Sequence, residues 1–272
     1  MLYSPYLWQW ATAEFRFGKL AFDLPYNAAW DAVAGDSSLP LAGCYTYLAH
    51  GAQSFVFQSE DRQWTLKIFR HDRWIHPWRK WFRNRILRRK KRLPYDRKIN
   101  RVFAASKLAF ERAADLTGLV YIHLSRTTGL PHIDLIGPLH RKWRIDLNRT
   151  YFVVQRKAEP IKQLLLESIH AGDKERFRTL CHHFIKLIYE RVDRGIRNSD
   201  TKVSQNFGFC SDSAIEWDFG NYWIDLKMTT EMEQLNEIRR FTQQPEQWMV
   251  DFPEWLEDYR RELAHFSMCT DT

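Results

Sequence analysis

Two short stretches hold most of the side chains that could do chemistry. "IEWDFGNY", Ile215–Tyr222, carries Asp218 inside an Asp-Phe-Gly triplet, and "NSDTKVSQNFGF", Asn198–Phe209, carries Asp200, Lys202 and Asn206. Asp218 follows Asn206 by twelve residues, the distance a small hairpin needs to bring two oxygen ligands to one cation. Asp218 therefore reads either as a metal ligand or as the end of an ordinary strand. The triplet alone does not decide, and the answer turns on what stands upstream.

The elements that must position these residues emerge from pattern. "SFVFQSEDRQWTLKIFR" has two β-rich runs, Ser54–Gln58 and Trp64–Phe69, around a polar turn, and reads as a hairpin. Ala104–Asp115 has helix formers with apolar spacing, and Gly118 is its stop. "LVYIHL", "HIDLI", "WRIDL" and "TYFVVQRK" read as further strands. Asp173 can cap a long helix to about Val192, with Phe177, Leu180, Cys181, Phe184, Ile185, Ile188 and Val192 at helical spacing. "NFGF" and "AIEWDF" form short strands, and the remainder is mostly helical. Strands first and helices second predict an α+β chain in two segregated lobes.

In this order the residues resemble the protein-kinase-like fold, over about Leu48 to Asp225. Phosphoryl transfer there needs a backbone cover for the phosphates, a lysine on them, metal-binding Asp and Asn, and a carboxylate facing the acceptor hydroxyl. "HGAQSFVF" resembles the reduced phosphate loop of aminoglycoside and choline kinases, with Gly51 at the turn and Ser54 following. Lys67 in "WTLKIF" resembles the "VAIK" lysine, and Glu111 is the one Glu on the next helix that would hold it. The resemblance implies that Asp200 faces the acceptor, Lys202 reaches the phosphate, and Asn206 and Asp218 bind Mg2+. ATP would lie near Val153–Pro160, with Gln155 among its contacts.

The chain also departs from the family's pattern. Asp200 and Asn206 stand one residue further apart than usual, so the loop bulges or Thr201 takes the expected place. Asn198 stands where the histidine of "HRD" or "HGD" would be, the phosphate loop lacks most of its glycines, and no "APE" comes after Gly220. The chain looks most like small bacterial kinase-like proteins, including lipopolysaccharide-core sugar kinases. Those departures keep a catalytically inactive pseudokinase open as the alternative.

Charge is unevenly spread. Between Arg70 and Arg101 fourteen Lys/Arg face two acids, a local +12 in a chain of +8, so everything else sums to −4. Pro77 can open a helical stretch in this segment and Pro94 can close it. Trp78, Trp81, Phe82 and Ile86 share its apolar face, while Arg88, Arg89, Lys90, Lys91 and Arg92 form a basic run. Aromatic rings beside cations suit an anionic membrane surface. Nucleic acid is the second reading, and packing on the strand lobe or another protein partner the third. No run of about 18 uncharged apolar residues exists, and the first residues lack a basic leader with a long apolar stretch. Four scattered cysteines fit a reducing compartment, so a cytoplasmic protein, peripheral on the inner face of a membrane, is expected. Cys181-His182-His183 lacks further ligands at zinc spacing, and Cys181 reads as core. The expected organisation is an extension over 1–40, an N-lobe over 41–157 with the basic insertion 70–101, and a helical C-lobe over 158–272.

Overall fold

The computed structural model describes residues 15, 20, 24–31, 41–70, 94–211 and 213–269. The chain forms two compact units, Met1–Lys107 with Leu119–Lys157, and Leu108–Gly118 with Ala158–Thr272.

The first unit is built on a seven-stranded sheet of β1 (Cys44–His50), β2 (Ser54–Ser59), β3 (Trp64–Phe69), β4 (Leu119–His123), β5 (His132–Ile136), β6 (Lys142–Asp146) and β7 (Phe152–Arg156). Their order is β4-β7-β3-β2-β1-β5-β6, with β1 and β5 parallel and the other pairs antiparallel. The β2–β3 turn closes through side chains. Asp61 Oδ1 accepts from the Gln63 N–H at 3.0 Å, and Ser59 Oγ accepts from the Trp64 N–H at 3.0 Å. Alternation then sorts the faces. Phe55, Phe57, Leu66 and Ile68 enter one core, which Phe15, Leu20 and Leu41 also join. Thr65, Lys67 and Phe69 take the opposite face of β3, where Phe69 meets Phe103 with ring centroids 5.1 Å apart.

Phe103 belongs to α1 (Pro94–Thr117), which the two units share. Pro94 opens this helix; the stretch that it is expected to close lies outside the described residues. A proline costs a helix nothing in its first turn, where its missing N–H has no intrahelical partner. Gly118 ends α1 at φ 67°, a left-handed conformation that glycine adopts without strain.

The second unit is helical around small hairpins. It contains β8 (Glu159–Pro160), α2 (Ile161–Ala171), α3 (Lys174–Asp193), β9 (Ile196–Asn198), the single turn α4 (Val203–Asn206), β10 (Phe207–Cys210), β11 (Ser213–Glu216), β12 (Tyr222–Ile224), α5 (Glu231–Trp248) and α6 (Pro253–Cys269). Asp173 caps α3, accepting from the Arg176 N–H at 2.9 Å. The apolar stripe from Phe177 to Val192 is buried throughout. Cys181 is part of that core, and burial pushes its thiol up; His182 hydrogen-bonds Glu262 at 2.7 Å.

The α+β class and the strand-then-helix order are as expected. Arg70, the first cation of the basic segment, is fully buried. Its guanidinium lies 4.4 Å over the Phe55 ring and donates to the Gly51 carbonyl at 3.3 Å. Trp78, Trp81, Phe82 and Arg88 to Arg92 lie outside the described residues. Among the described residues no helix is long and apolar enough to cross a membrane.

Candidate active site

The β10–β11 hairpin brings Asn206 and Asp218 to its open end. Phe207 pairs with Glu216, and the ladder runs one step further, because the Trp217 N–H donates to the Asn206 carbonyl at 2.8 Å. The Trp217 indole closes over the hairpin, donating from Nε1 to the Gln205 carbonyl at 2.6 Å. A Cβ at Gly208 would sit 2.1 Å from that ring and 2.6 Å from the Glu159 carbonyl, so only glycine fits between them. Phe207 anchors the same end, its ring 5.5 Å from Phe184 on α3 and 5.8 Å from Phe241 on α5.

The donor set at this end suits one kind of cation. Asn206 Nδ2 donates to the Asp200 carbonyl at 3.5 Å, so the carboxamide oxygen is the atom left for a metal. Asp218 Oδ1 accepts from the Gly220 N–H at 3.3 Å. Two hard oxygens leave most of a coordination sphere to water and phosphate, the manner in which magnesium binds. Among the described residues no three His, Cys, Asp or Glu side chains cluster as a self-sufficient metal cage. The Asn206 and Asp218 oxygens fit a hard divalent cation such as Mg2+.

The loop before the hairpin is made of two successive side-chain turns. Asn198 Oδ1 accepts from the Asp200 N–H at 2.9 Å, and Asp200 Oδ1 accepts from the Lys202 N–H at 3.2 Å. Each is an Asx turn, in which a short polar side chain caps the backbone two residues on. The second of them lies within the Asp200–Asn206 interval, where the chain has its extra residue. Lys202 is exposed at the start of α4. Gln244 on α5 grips both sides of it, donating to the Thr201 carbonyl and accepting from the Val203 N–H at 3.2 Å.

Beneath the loop lies a charge cluster that the motifs gave no hint of. Arg191, Glu216 and Glu237 are all fully buried. Arg191 approaches Glu216 at 3.4 Å and Glu237 at 3.4 Å, and its guanidinium lies 4.2 Å over the Phe241 ring. Glu216 also accepts from Tyr222 Oη at 2.6 Å and from Asn198 Nδ2 at 2.6 Å. Burial raises the Glu216 carboxyl, against the Arg191 charge and the two hydrogen bonds that pull it down. Burial likewise pushes the Tyr222 phenol well up. The sequence held one signal: Arg191 falls three residues after Ile188 on the apolar stripe of α3, where a solvated arginine has no place.

The remaining candidates stand on the first unit or on α1. Lys67 is half-buried on β3, between Val56 of β2 and Val153 of β7. Ser54 opens β2, and the Gly51 N–H donates to the Ser54 carbonyl at 2.9 Å. A Cβ at Gly51 would meet nothing nearer than that carbonyl at 4.0 Å, so the fold itself does not require glycine there. Gln155 is buried within β7, and its carbonyl accepts from Thr65 Oγ1 at 3.2 Å. Glu111 is exposed on α1, two residues before the helical geometry breaks at Ala113.

Lys67 on the hairpin strand, Glu111 on the next helix, and Asn206 and Asp218 flanking a small hairpin occupy the elements that the kinase-like resemblance implies. No family model and no curated protein matches the chain. Among solved structures it is similar to WbdD bound to the kinase inhibitor LY294002, at 12% identity and TM-score 0.39, over 79% of this chain and 45% of that one. It is similar also to a structure of the bifunctional kinase-methyltransferase WbdD, at 13% identity and TM-score 0.37, over 77% and 42%. The chain spans less than half the length of these proteins. Likenesses this distant carry no argument about chemistry.

Proposed function

We propose that the chain is an ATP- and magnesium-dependent phosphotransferase acting on a hydroxyl of a sugar, lipid or protein. The observation that supports this reading is that Asp200, Asn206 and Asp218 share one hydrogen-bonded network in the second unit: Asn206 Nδ2 donates to the Asp200 carbonyl, and Asn198 accepts from the Asp200 N–H while donating to the Asp218 carbonyl. Asp200 orients the acceptor hydroxyl and takes its proton as the new O–P bond forms and the bond to the leaving diphosphate breaks. Its Oδ1 is held by the Lys202 N–H, which leaves Oδ2 to meet the acceptor. Lys202 offsets charge on the transferred phosphoryl oxygens. Lys67 would contact the phosphates that stay behind, under the backbone of Gly51 to Ser54. Asn206 and Asp218 would hold a magnesium ion, which would supply positive charge against that of the phosphates.

The test is unfolding temperature with ATP, with and without magnesium. Ligand at about 100 times its Kd adds about 2.7 kcal/mol, or roughly 5–10 °C for a chain of this size. A shift that needs magnesium is expected. Asp200→Asn keeps that shift while single-turnover transfer falls by about 10²–10⁴-fold. Absence of any magnesium-dependent shift overturns the reading.

A further inference from the structure

We propose that Asn198 is a positioning residue that couples the Asp200 loop to the Asp218 turn, so that acceptor and metal groups are ordered together. The side chain is fully buried, and its polar groups point three ways. Oδ1 accepts from the Asp200 N–H at 2.9 Å. Nδ2 donates to Glu216 Oε1 at 2.6 Å and to the Asp218 carbonyl at 3.4 Å. Its own backbone N–H donates to Glu237 Oε1 at 3.2 Å. One small head group thereby touches the loop before Asp200, the strand end before Asp218, and helix α5.

The chemistry selects asparagine. The site presents one N–H donor on one side and two acceptors, a carboxylate and a carbonyl, on the other. A carboxamide offers one acceptor oxygen and two N–H donors, which matches that set. A neutral imidazole has one donor and one acceptor and leaves either Glu216 or the Asp218 carbonyl unmet. An aspartate would set a second carboxylate against Glu216. The surrounding groups also fix which way the amide points, since the flipped form would place Nδ2 against the Asp200 N–H and Oδ1 against Glu216. Arg191, 3.4 Å from Glu216 in a buried site, favours its carboxylate form, the stronger acceptor. Asn198 in the position of the expected histidine and the Arg191–Glu216 pair are one device: the carboxylate demands a donor, and the donor's other N–H reaches Asp218.

The link itself is independent of any nucleotide, while its effect on magnesium rests on the phosphotransferase reading. Hydrogen exchange of the full chain tests the first. In Asn198→Ala, peptides covering Ser199–Asn206 and Trp217–Tyr222 should both exchange faster, by roughly tenfold or more, as expected for ordinary hydrogen bonds lost. Peptides from the middle of α3 and from β3 should be unchanged. Faster exchange in one peptide alone, or in neither, overturns the coupling. Asn198→Ser, which keeps a hydroxyl in the buried space, replaces Asn198→Ala if that variant does not fold. The second arm is the magnesium concentration needed for the ATP-dependent thermal shift. It should rise by about 10–100-fold in the variant, the usual cost of removing a group that orients a metal ligand. The shift given by ATP without magnesium should stay as in the parent. An unchanged magnesium requirement in a folded variant overturns the proposal. A parent chain with no magnesium-dependent shift removes the proposed function, and the exchange pattern still decides the coupling.

Discussion

Arg191→Met isolates the buried charge cluster. Methionine keeps an unbranched stem and removes the cation that lies over the Phe241 ring and faces Glu216 and Glu237. Glu237 retains Arg197 at 3.6 Å and also pairs with Arg240, so the loss falls on Glu216, which keeps only its neutral partners Asn198 and Tyr222. Breaking a buried pair from one side costs about 3–5 kcal/mol. Arg191 Nη1 meets Glu216 without the alignment of a hydrogen bond, so the lower end, about 3 kcal/mol, is expected. The cost must depend on pH. Burial already raises the Glu216 carboxyl above its ordinary 4.5, so the folded state holds that proton more tightly than the unfolded chain does. Stability is then greatest at and below about pH 4.5 and falls as pH rises through the folded value. Without Arg191 the folded value rises further and the fall continues to higher pH, at about 1.4 kcal/mol per pH unit. Urea unfolding of parent and variant at pH 5 and pH 8 reads this directly. The deficit should approach 3 kcal/mol at pH 8 and shrink toward pH 5, and adding Glu216→Gln should recover more than about 1 kcal/mol of it at pH 8. A deficit below about 1 kcal/mol at pH 8, or an equal deficit at both pH values, refutes the reasoning.

Two glycines separate fold from chemistry. Gly208→Ala forces a methyl group against the Trp217 ring and the Glu159 carbonyl, and should cost about 1–3 kcal/mol in thermal or urea unfolding; a neutral result would mean that the indole does not close the hairpin. Gly51→Ala has open space and an ordinary backbone conformation, so stability should change by no more than about 0.5 kcal/mol. Titration with ATP should nonetheless show weaker binding, because the added methyl meets the phosphates that the Gly51 turn covers, and unchanged affinity would take that turn out of the site.

The periodic features of this chain are legible in its sequence and the paired ones are not. The stripe on α3, its Asp173 cap and the β2–β3 hairpin each depend on residues near in sequence, so spacing and local hydrogen bonding suffice to find them. β1 escapes a pattern reading, although "CYTYLAH" has strand formers, because six of its seven residues remain partly or largely exposed and its alternation is shallow. The partners of Asn198 lie 18 and 20 residues away at Glu216 and Asp218, and 39 away at Glu237. No local rule links such positions; only the packing of β9, β11 and α5 brings them together. From sequence alone, Asn198 in place of a histidine looks like damage to a catalytic loop and favours an inactive relative. In the folded chain the same residue accepts from Asp200, donates toward Asp218 and meets a carboxylate compensated by Arg191. A substitution that had merely decayed would have left Glu216 Oε1 buried without its donor, at a cost of about 1–3 kcal/mol. That the donor, the carboxylate and the arginine are all in place argues for a loop that is held, by a different set of residues, in a defined geometry.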